Sequence, residues 1–185
     1  MRVVHVTPYF APAFCYGGPP RSVSALCRAL QRQGVDVEVV TTTANGKGEL
    51  RASGPGGDQY EGVRVHYLPR AFPRRCFGAR RLGRVLSSAL ERCDVLHVHG
   101  LWNIPAAVAA HMARQRGVPY VVSTRGMMEG PARARHPWRK RLAYFLLERR
   151  NLAGACLLHA TSAAEAATLR RLGLGVKIVA VPNGV

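Results

Sequence analysis

The chain has 185 residues, a length that suits one domain with a substantial core. Its apolar fraction of 48% is ordinary for a globular protein, and its apolar runs are too short to span a bilayer, which excludes a transmembrane protein. The formal charge of +17 favours anionic partners, namely phosphates, acidic lipids or nucleic acids.

The start of the chain and its cysteines indicate the cellular compartment. Residues 1–7 are typical of a strand and lack the small-residue cleavage site of a signal peptide. The five cysteines are spaced singly and form no CxxC pair, which favours reduced thiols over disulfides or a zinc site. We therefore expect a cytoplasmic protein.

Strand-like and helix-like patterns alternate along the chain. A strand over residues 2–7 is followed by a loop and by a helix over 19–33, with prolines at its start and Gly34 after its end. Residues 35–42 form a nearly continuous apolar strand, and the glycine-rich segment 43–59 is predicted as a loop. The next elements in chain order are a strand (63–68), helix (80–92), strand (94–98), helix (104–116), strand (119–123), helix (138–152), strand (156–160), helix (162–171) and strand (176–181).

This alternation predicts the fold class and the side of the sheet on which a site would lie. It is typical of an α/β protein with an open, Rossmann-like parallel sheet, here of about seven strands, and with helices on both faces. Sites in such folds lie at the carboxyl ends of the strands, which here lead into residues 8–18, 43–61, 99–103 and 124–137. Before the helix over 162–171, Ser162 or its neighbour Thr161 can act as N-cap, with Glu165 placed for a capping box.

The first of these loops contains Gly17 and Gly18 directly before a helix. Glycines allow close approach of a ligand, and a helix amino terminus offers N–H groups to an anion. The pattern is neither the GxGxxG fingerprint of dinucleotide sites nor a Walker A loop. On spacing alone it is equally compatible with a plain tight turn.

The segment after the strand over 94–98 contains His99, Trp102 and Asn103. His97, inside the strand, is interpreted as a packed or hydrogen-bonded residue, whereas His99 lies at the strand exit and is the candidate site residue. Trp102 offers a stacking face for a ligand or covers the core. Two histidines without a nearby carboxylate pair do not make a metal site, so we predict no metal.

Arg125 follows the next strand, again at its carboxyl end. A guanidinium in that position needs an anion, which is either Glu129 or a phosphate or carboxylate of a ligand. The chain has no DxD motif to hold a metal-bound diphosphate.

Basic residues are concentrated in two segments. Six arginines lie in residues 70–84, and seven basic residues lie in residues 133–150. The predicted helix over 138–152 is basic and amphipathic, and Arg139, Lys140 and Arg141 either face an anionic membrane or form a solvated face. No nucleic-acid-binding motif accompanies the charge, so nucleic acid is not an expected partner.

Taken in order, the motifs resemble a known family. The chain is similar to the N-terminal domain of family 4 (group 1) retaining glycosyltransferases with the GT-B fold, and above all to the bacterial subgroup that builds polysaccharides and lipid-linked saccharides. The resemblance covers the whole chain and depends on Val3-Val4-His5-Val6-Thr7, Gly17-Gly18, Asp94-Val95-Leu96-His97-Val98-His99-Gly100-Leu101-Trp102, Ser123-Thr124-Arg125-Gly126-Met127, His159-Ala160-Thr161-Ser162 with Glu165, and Val181-Pro182-Asn183-Gly184-Val185.

The resemblance implies a two-domain enzyme. Residues 1–180 would be the acceptor-binding domain and residues 181–185 the start of a linker to an absent C-terminal domain that binds the donor. By this analogy Gly17 and Gly18 approach the donor diphosphate. Many members of the family carry a histidine where this chain has Arg125, so Arg125 and His99 are the candidate catalytic residues. The other expected cleft residues are Tyr16, Arg21, Trp102, Asn103 and Glu129.

The implied activity is transfer of a hexose from a nucleotide-sugar to a saccharide or lipid-linked acceptor, with retention of anomeric configuration and without metal or cofactor. The chain alone is expected to be inactive because half of the cleft is absent. The alternative interpretation is a non-catalytic module that binds phosphate or an anionic membrane. In either case the expected location is the cytoplasm, with peripheral contact to the inner face of the plasma membrane.

Overall fold

The computed structural model describes residues 1–54, 56–128 and 148–183. An eight-stranded sheet has the order β10-β9-β8-β7-β1-β2-β6-β5, and a separate hairpin pairs β3 with β4. The strands are β1 (Arg2–Val6), β2 (Asp36–Thr42), β3 (Ala44–Asn45), β4 (Gly48–Glu49), β5 (Asp58–Tyr60), β6 (Val63–Leu68), β7 (Val95–His99), β8 (Tyr120–Ser123), β9 (Leu157–Ala160) and β10 (Ile178–Ala180). The helices are α1 (Gly18–Arg32), α2 (Leu82–Leu90), α3 (Ile104–Arg116), α4 (Arg149–Ala153) and α5 (Ala163–Arg170), with 3-10 turns at Phe14–Tyr16 and Arg74–Cys76.

Both faces of the sheet are covered, which confirms the predicted α/β class. One apolar cluster joins β1 and β7 to α2, α3 and α5, with Leu86 and Leu96 fully buried. A second cluster joins β2 and β6 to α1 through Val23, Val39 and Val65. Strands β2 and β6 contribute to both clusters, since Val40 and Leu68 belong to the first and Val39 and Val65 to the second, because successive side chains of a strand point to opposite faces.

The order of the strands places a crevice at one edge of the sheet. From β1 the chain continues to β2 and β6 on one side, and it then returns to β7 on the other side of β1. The β1–β2 and β1–β7 pairs are both parallel, so their carboxyl ends lie at the same edge. The topology therefore predicts a site where the β1 and β7 loops separate.

The sheet has one strand more than predicted. β5, in the segment predicted as a loop, pairs antiparallel with β6, and the tight turn between them has φ values of 49° at Glu61 and 85° at Gly62. Two successive positive φ values are typical of the hairpin turns that match sheet twist. The turn was not predicted because Glu61 replaces the usual Asn or Asp at the first position.

Two further expectations concern the membrane and the helix over 138–152. No helix of the described residues combines the length and apolarity required to cross a bilayer. Only the last part of the predicted helix, α4 and the residue before it, lies within the described residues. Arg139, Lys140, Arg141 and Glu129 lie outside them.

Candidate functional site

Arg125 connects three elements at the predicted edge of the sheet. Its guanidinium nitrogens donate to Ser22 Oγ of α1 at 2.9 Å, to Asn183 Oδ1 after β10 at 2.9 Å, and to Nδ1 of His99 at 3.2 Å. The start of α1, the exit of β7 and the exit of β8 therefore meet around one cation. The predicted site residues Gly18, His99 and Arg125 belong to one crevice.

A cavity of about 620 Å³ opens beside this cation. Its walls come from the first turns of α1, from the β8 and β9 exits and from the segment after β10, and they include Gly18, Pro19, Arg21, Ser22, Arg28, Arg125, Thr161 and Asn183. Arg28 forms an ion pair with Glu61 at 2.7 Å, and Arg21 lies over the ring of Phe14 at 4.5 Å. The cavity thus places three guanidinium groups and two hydroxyls beside the apolar Pro19 and Ala25, a mixed lining that could receive an anionic or polyhydroxylated ligand.

The amino terminus of α1 is shaped by glycines and prolines. Gly17 has φ 80° and ψ −131°, a conformation that other residues rarely adopt. A side chain at Gly17 or Gly18 would meet no atom of the described structure within 4 Å. Because Pro19 and Pro20 have no N–H, only Gly18 and Arg21 supply backbone donors among the first four helical residues. This helix start leaves open space in front of Gly18 but offers fewer donors than predicted.

The backbone of Arg125 is held by a buried carboxylate. Arg125 and Gly126 have φ values of 49° and 71°, which turns the chain sharply after β8. Glu165 of α5 accepts hydrogen bonds from the Thr124 hydroxyl, from the N–H of Gly126 and from both the N–H and the hydroxyl of Thr161. Burial raises the pKa of Glu165, but these hydrogen bonds outweigh it and hold the pKa below the usual value. Glu165 therefore fixes the two loops that border the cavity.

The charge of Arg125 has no ion-pair partner within the described structure, although the more distant carboxylate of Glu165 opposes part of the effect of burial on its pKa. No described Asp or Glu forms an ion pair with it, and its Nε atom is buried without a hydrogen-bond partner among the described residues. Burial lowers the pKa of its guanidinium. The predicted partner Glu129 lies outside the described residues. An anion placed in the cavity would remove the cost of this unpaired cation.

Three histidines cluster behind Arg125, and the rings of His5 and His99 are stacked. His5 on β1 is fully buried, and its Nδ1 lies 2.9 Å from Nε2 of His99. Because Arg125 donates to Nδ1 of His99, the proton of His99 resides on Nε2 and is donated to His5. Burial and then the charge of Arg125 lower the pKa of His5 to about 3, and burial is also the main cause of the pKa values of His97 and His99 lying well below normal. All three rings are therefore neutral near pH 7.

A second chain of hydrogen bonds extends from the histidines to the end of the sheet. His97 Nε2 lies 2.7 Å from the Ser123 hydroxyl, which lies 2.7 Å from Nδ1 of His159. Nε2 of His159 lies 2.8 Å from the carbonyl oxygen of Val181, so this nitrogen carries the proton. It follows that Ser123 donates to His159 and accepts from His97. The interpretation of His97 as a hydrogen-bonded strand residue agrees with this geometry.

The three clustered histidines also approach the geometry of a metal site. One nitrogen from each of His5, His97 and His99 lies within 4.8 Å of the other two. However, both nitrogens of His99 face other groups, and Arg125 places a positive charge 3.2 Å from one of them. A divalent cation would have to displace this guanidinium, so the residues fit a neutral hydrogen-bonded cluster better than a metal. The absence of a metal stays a prediction.

The other candidate residues form contacts within the domain. Tyr16 stacks on Tyr9 with a centroid distance of 4.1 Å and accepts a hydrogen bond from Gly46 N–H. Trp102 donates its backbone N–H to Glu148 at 2.8 Å and packs against the larger apolar cluster. Asn103 caps α3, accepting from the N–H of Ala106 at 2.8 Å. Their contact with a substrate stays a prediction.

Sequence reasoning missed two residues of this crevice, His5 and Ser22. A single histidine inside an apolar strand is typical of a core position, and a serine in the first turn of a helix is typical of local capping. The register supplies the missing signal, because β1 pairs with β7 so that His5 lies opposite His97. Only the pairing of the strands brings these residues to the same place.

The comparison with known families agrees with this geometry. Residues 17–184 match the family described as the glycosyl transferase 4-like domain. The chain belongs to this family. No curated protein matches it. The family 4 glycosyltransferase assignment that was made from the motifs is thereby confirmed.

Solved structures show which fold this glycosyl transferase 4-like domain has. The catalytic domain of starch synthase IV from Arabidopsis thaliana, bound to ADP and acarbose, matches 100% of this chain with a TM-score of 0.65 and 15% identity, over 52% of its own length. Sucrose-phosphate synthase from Thermosynechococcus elongatus matches 100% with a TM-score of 0.63 and 17% identity, over 48% of its length. UDP-GlcNAc 2-epimerase from Neisseria meningitidis, bound to UDP-GlcNAc, matches 99% with a TM-score of 0.60 and 14% identity, over 46% of its length.

These matches confirm the Rossmann-like half of a GT-B fold. The domain spans about half the length of each of these chains. At such low identity the likeness concerns the fold alone, and it is shared by transferases and by an epimerase.

Proposed function

We propose that this glycosyltransferase domain is the acceptor-side half of a retaining, metal-independent hexosyltransferase. The enzyme would move a sugar from a nucleotide-sugar to a saccharide or lipid-linked acceptor in polysaccharide or glycoconjugate biosynthesis. The observation that carries the proposal is the buried Arg125 guanidinium, which forms no ion pair with a described residue, beside the open start of α1 at the strand switch of the sheet.

The proposed chemistry follows from the charge of this crevice. Transfer leaves a nucleoside diphosphate, whose growing negative charge must be stabilised by cations and N–H donors when no metal does so. Arg125 provides such a cation without a competing carboxylate among the described residues. Open space in front of Gly17 and Gly18 would let the diphosphate approach the start of α1.

His99 acts in this proposal through Arg125. Its unprotonated Nδ1 accepts from the guanidinium, and its Nε2 proton is donated to His5. His99 is then a positioning residue, because both of its nitrogens are used to orient Arg125. The neutral state imposed by burial keeps a second positive charge away from the guanidinium.

The proposal includes a second domain that binds the donor. Two of the similar structures are described with ADP or UDP-GlcNAc bound, and both are about twice as long as this chain. The segment 181–183 would lead into that domain, and activity would require both walls of the cleft. The same fold in an epimerase leaves isomerisation of a nucleotide-sugar as an alternative, but the family match favours transfer.

The first test is the reading frame and the activity of the whole enzyme. We expect the DNA beyond Val185 to encode a second strand–helix array, and we expect the joined protein to transfer hexose from one member of a nucleotide-sugar panel. Residues 1–185 alone should show negligible transfer. Robust turnover by this chain alone would contradict the proposal, and so would a joined protein that only isomerises its nucleotide-sugar.

The variant Gly18→Ala separates ligand contact from folding. The new methyl group meets no atom within 4 Å, and alanine is favoured over glycine in a helix, so stability should be unchanged or should rise by up to about 1 kcal/mol. If a diphosphate approaches Gly18, the joined enzyme should lose at least about tenfold in kcat/KM for the donor. Thermal unfolding and steady-state kinetics measure the two effects, and unchanged kinetics would remove Gly18 from the donor site.

Peripheral contact with the membrane also stays a proposal. The sequence placed it on the helix over 138–152, which lies mostly outside the described residues. A non-catalytic module that binds phosphate or anionic membrane would bind its anion without any turnover in the joined protein.

A further inference from the structure

A closed loop follows β6 at the same edge of the sheet as the crevice. Residues 69–80 leave and re-enter the fold at one place, because Arg70 and Ala79 form a bridge and Arg80 N–H donates to the carbonyl oxygen of Pro69 at 2.9 Å. Ala71 N–H also donates to the carbonyl oxygen of Gly78 at 2.6 Å. These bonds define a loop with a closed base, and the residues between them form its tip.

The two phenylalanines of this loop have opposite environments. Phe77 packs edge-on against Tyr9 and Tyr16, with centroid distances of 5.5 and 6.0 Å. Phe72, at the tip, is 93% exposed. The other large apolar side chains that the described structure exposes are Met1 and Val181, near its two ends. Phe72 is therefore an exposed aromatic side chain on an ordered loop that Phe77 anchors to the domain.

Exposed arginines surround Phe72 in the sequence and continue into α2. Residues 70–84 contain six arginines and no acidic residue. Arg70 is partly buried and forms an ion pair with Glu49, which also pairs with Arg74. We call the exposed arginines of this segment, together with Phe72, the arginine surface. It consists of Phe72, Arg74, Arg75, Arg80, Arg81 and Arg84.

We propose that the arginine surface docks this domain onto a bilayer that contains acidic phospholipids, with Phe72 inserted among the headgroups. Arginines near an anionic bilayer are attracted by its surface potential, and an aromatic ring is favoured in the interfacial region. One exposed ring between guanidinium groups gives too little apolar area for a stable protein interface. The loop also lacks the several stacking aromatics with which single-stranded nucleic acid is bound.

The docking site lies close to the entrance of the crevice. Phe77 joins the loop to Tyr9, and Tyr9 lines a small cavity together with His99 and Arg125. A bilayer in contact with the arginine surface would therefore lie near Arg125 and His99, where the proposed sugar transfer takes place. If the proposed function holds, this arrangement fits a lipid-linked acceptor, whereas docking itself does not depend on sugar transfer.

The test is flotation of the chain with vesicles of phosphatidylcholine alone and of phosphatidylcholine with phosphatidylglycerol. We expect binding only to the acidic vesicles, and it should weaken as salt rises. The double variant Arg75→Glu with Arg84→Glu should lower partitioning by at least about 20-fold, because each arginine near the bilayer contributes roughly fivefold. Phe72→Ser should lower it by about threefold to tenfold, since the ring no longer inserts.

The matched control is the double variant Arg170→Glu with Arg171→Glu. Both arginines are exposed and lie at the end of α5, beside β9 and β10 at the opposite end of the sheet from β6. The control carries the same change in net charge and should bind nearly as well as the unchanged chain. Circular dichroism and thermal unfolding verify that all variants are folded.

Several outcomes would overturn the proposal. One is equal loss of binding in the two double variants, which would mean that only net charge matters. Another is binding lost only when Arg139, Lys140 and Arg141 are changed to Glu. A third is absence of binding to acidic vesicles while duplex DNA binds at physiological salt. The variant Phe72→Trp provides an independent measurement, because an inserted indole should show a larger blue shift with acidic vesicles than the unchanged chain does.

Discussion

The arginines at the two ends of the central strands have opposite electrostatic environments. At the amino ends, the Arg2 guanidinium forms ion pairs with Glu38 and with Asp36, and its backbone N–H donates to Asp94 at 2.7 Å. At the carboxyl ends, Arg125 has only neutral hydrogen-bond partners among the described residues. A stable sheet requires only the first arrangement, in which the arginine is paired with carboxylates. The second makes sense where the counter-charge comes from outside the domain.

Glu38 shows how thoroughly the amino end is balanced. It accepts from Arg2 and lies 2.6 Å from Nε2 of His66, while only 5% of its surface is exposed. The hydrogen bond to His66, followed by that to Arg2, lowers the pKa of Glu38 to about 2 despite burial. A carboxylate buried in this way stabilises the fold only as long as both partners remain.

The largest effect is expected at the carboxyl end and concerns activity. Arg125→Met in the joined enzyme should lower kcat by about 10²–10³, as removal of one preorganised group that stabilises developing charge does in other enzymes. Its unfolding free energy should change by no more than about 1–2 kcal/mol, because the gain from removing a buried cation offsets the lost hydrogen bonds to Ser22, Asn183 and His99. Steady-state kinetics and urea unfolding are the measurements. A large loss of stability with intact kcat would contradict the proposal, because it would show that Arg125 serves the fold and not the reaction.

The next effect is expected at the amino end and concerns stability alone. Glu38→Gln should lower the unfolding free energy by about 2–3 kcal/mol, below the roughly 3–5 kcal/mol of a fully buried pair because Arg2 reaches solvent. The donor kinetics of the joined enzyme should stay unchanged, since Glu38 lies away from the crevice. Equal unfolding midpoints for Glu38→Gln and the unchanged chain would show that this network adds no stability.

The third effect, which is the smallest one near neutral pH, is a dependence of stability on pH that originates in the buried histidines. The folded-state pKa of His5 is lowered to about 3, so the unfolded chain binds its proton first as the pH falls. Its contribution is fully present above about pH 6.5 and is lost as the pH falls toward about 3, with a slope of up to about 1.4 kcal/mol per pH unit. His97 and His99 act in the same direction.

The variant His5→Asn isolates this contribution. It removes one titrating group and keeps an acceptor for the Nε2 proton of His99, so the slope between about pH 4 and 6 should decrease by up to one proton. Urea unfolding at a series of pH values measures it. His111→Asn, on the outer surface of α3, is the control and should leave the slope nearly unchanged. Identical slopes for all three proteins would mean that His5 is protonated in the folded state.

The sequence predicted those parts of the molecule that depend on local patterns. β6 and α3 were predicted with their observed bounds, because β6 alternates apolar and polar residues between Gly62 and Pro69, and α3 is preceded by Asn103 and followed by Gly117. Half of the capping box was also correct, since Ser162 Oγ accepts from the N–H of Glu165 at 3.0 Å. The carboxylate of Glu165, however, bonds Thr124, Thr161 and Gly126 instead of the N–H of Ser162.

The remainder of the site depends on contacts between residues far apart in sequence. Arg125 and Ser22 are 103 residues apart, and His5 and His99 are 94 apart, so no local pattern could pair them. The expectation that Arg125 requires an anion came from its position after a buried strand and needed no knowledge of its partners. The hydrogen bonds from Arg125 to a histidine, a serine and an asparagine were not predicted.

The Arg125 guanidinium donates hydrogen bonds both to the crevice and to Asn183 in the segment after β10. One of its terminal nitrogens serves both Ser22 and Asn183, and His159 holds the carbonyl of Val181 in the same stretch of chain. An anion that recruits this nitrogen competes with Asn183 and so loosens the exit segment. By thermodynamic reciprocity, any movement that draws the exit segment away must raise the affinity of Arg125 for that anion. Occupancy of the crevice and the position of residues 181–183 are thus two readings of a single equilibrium.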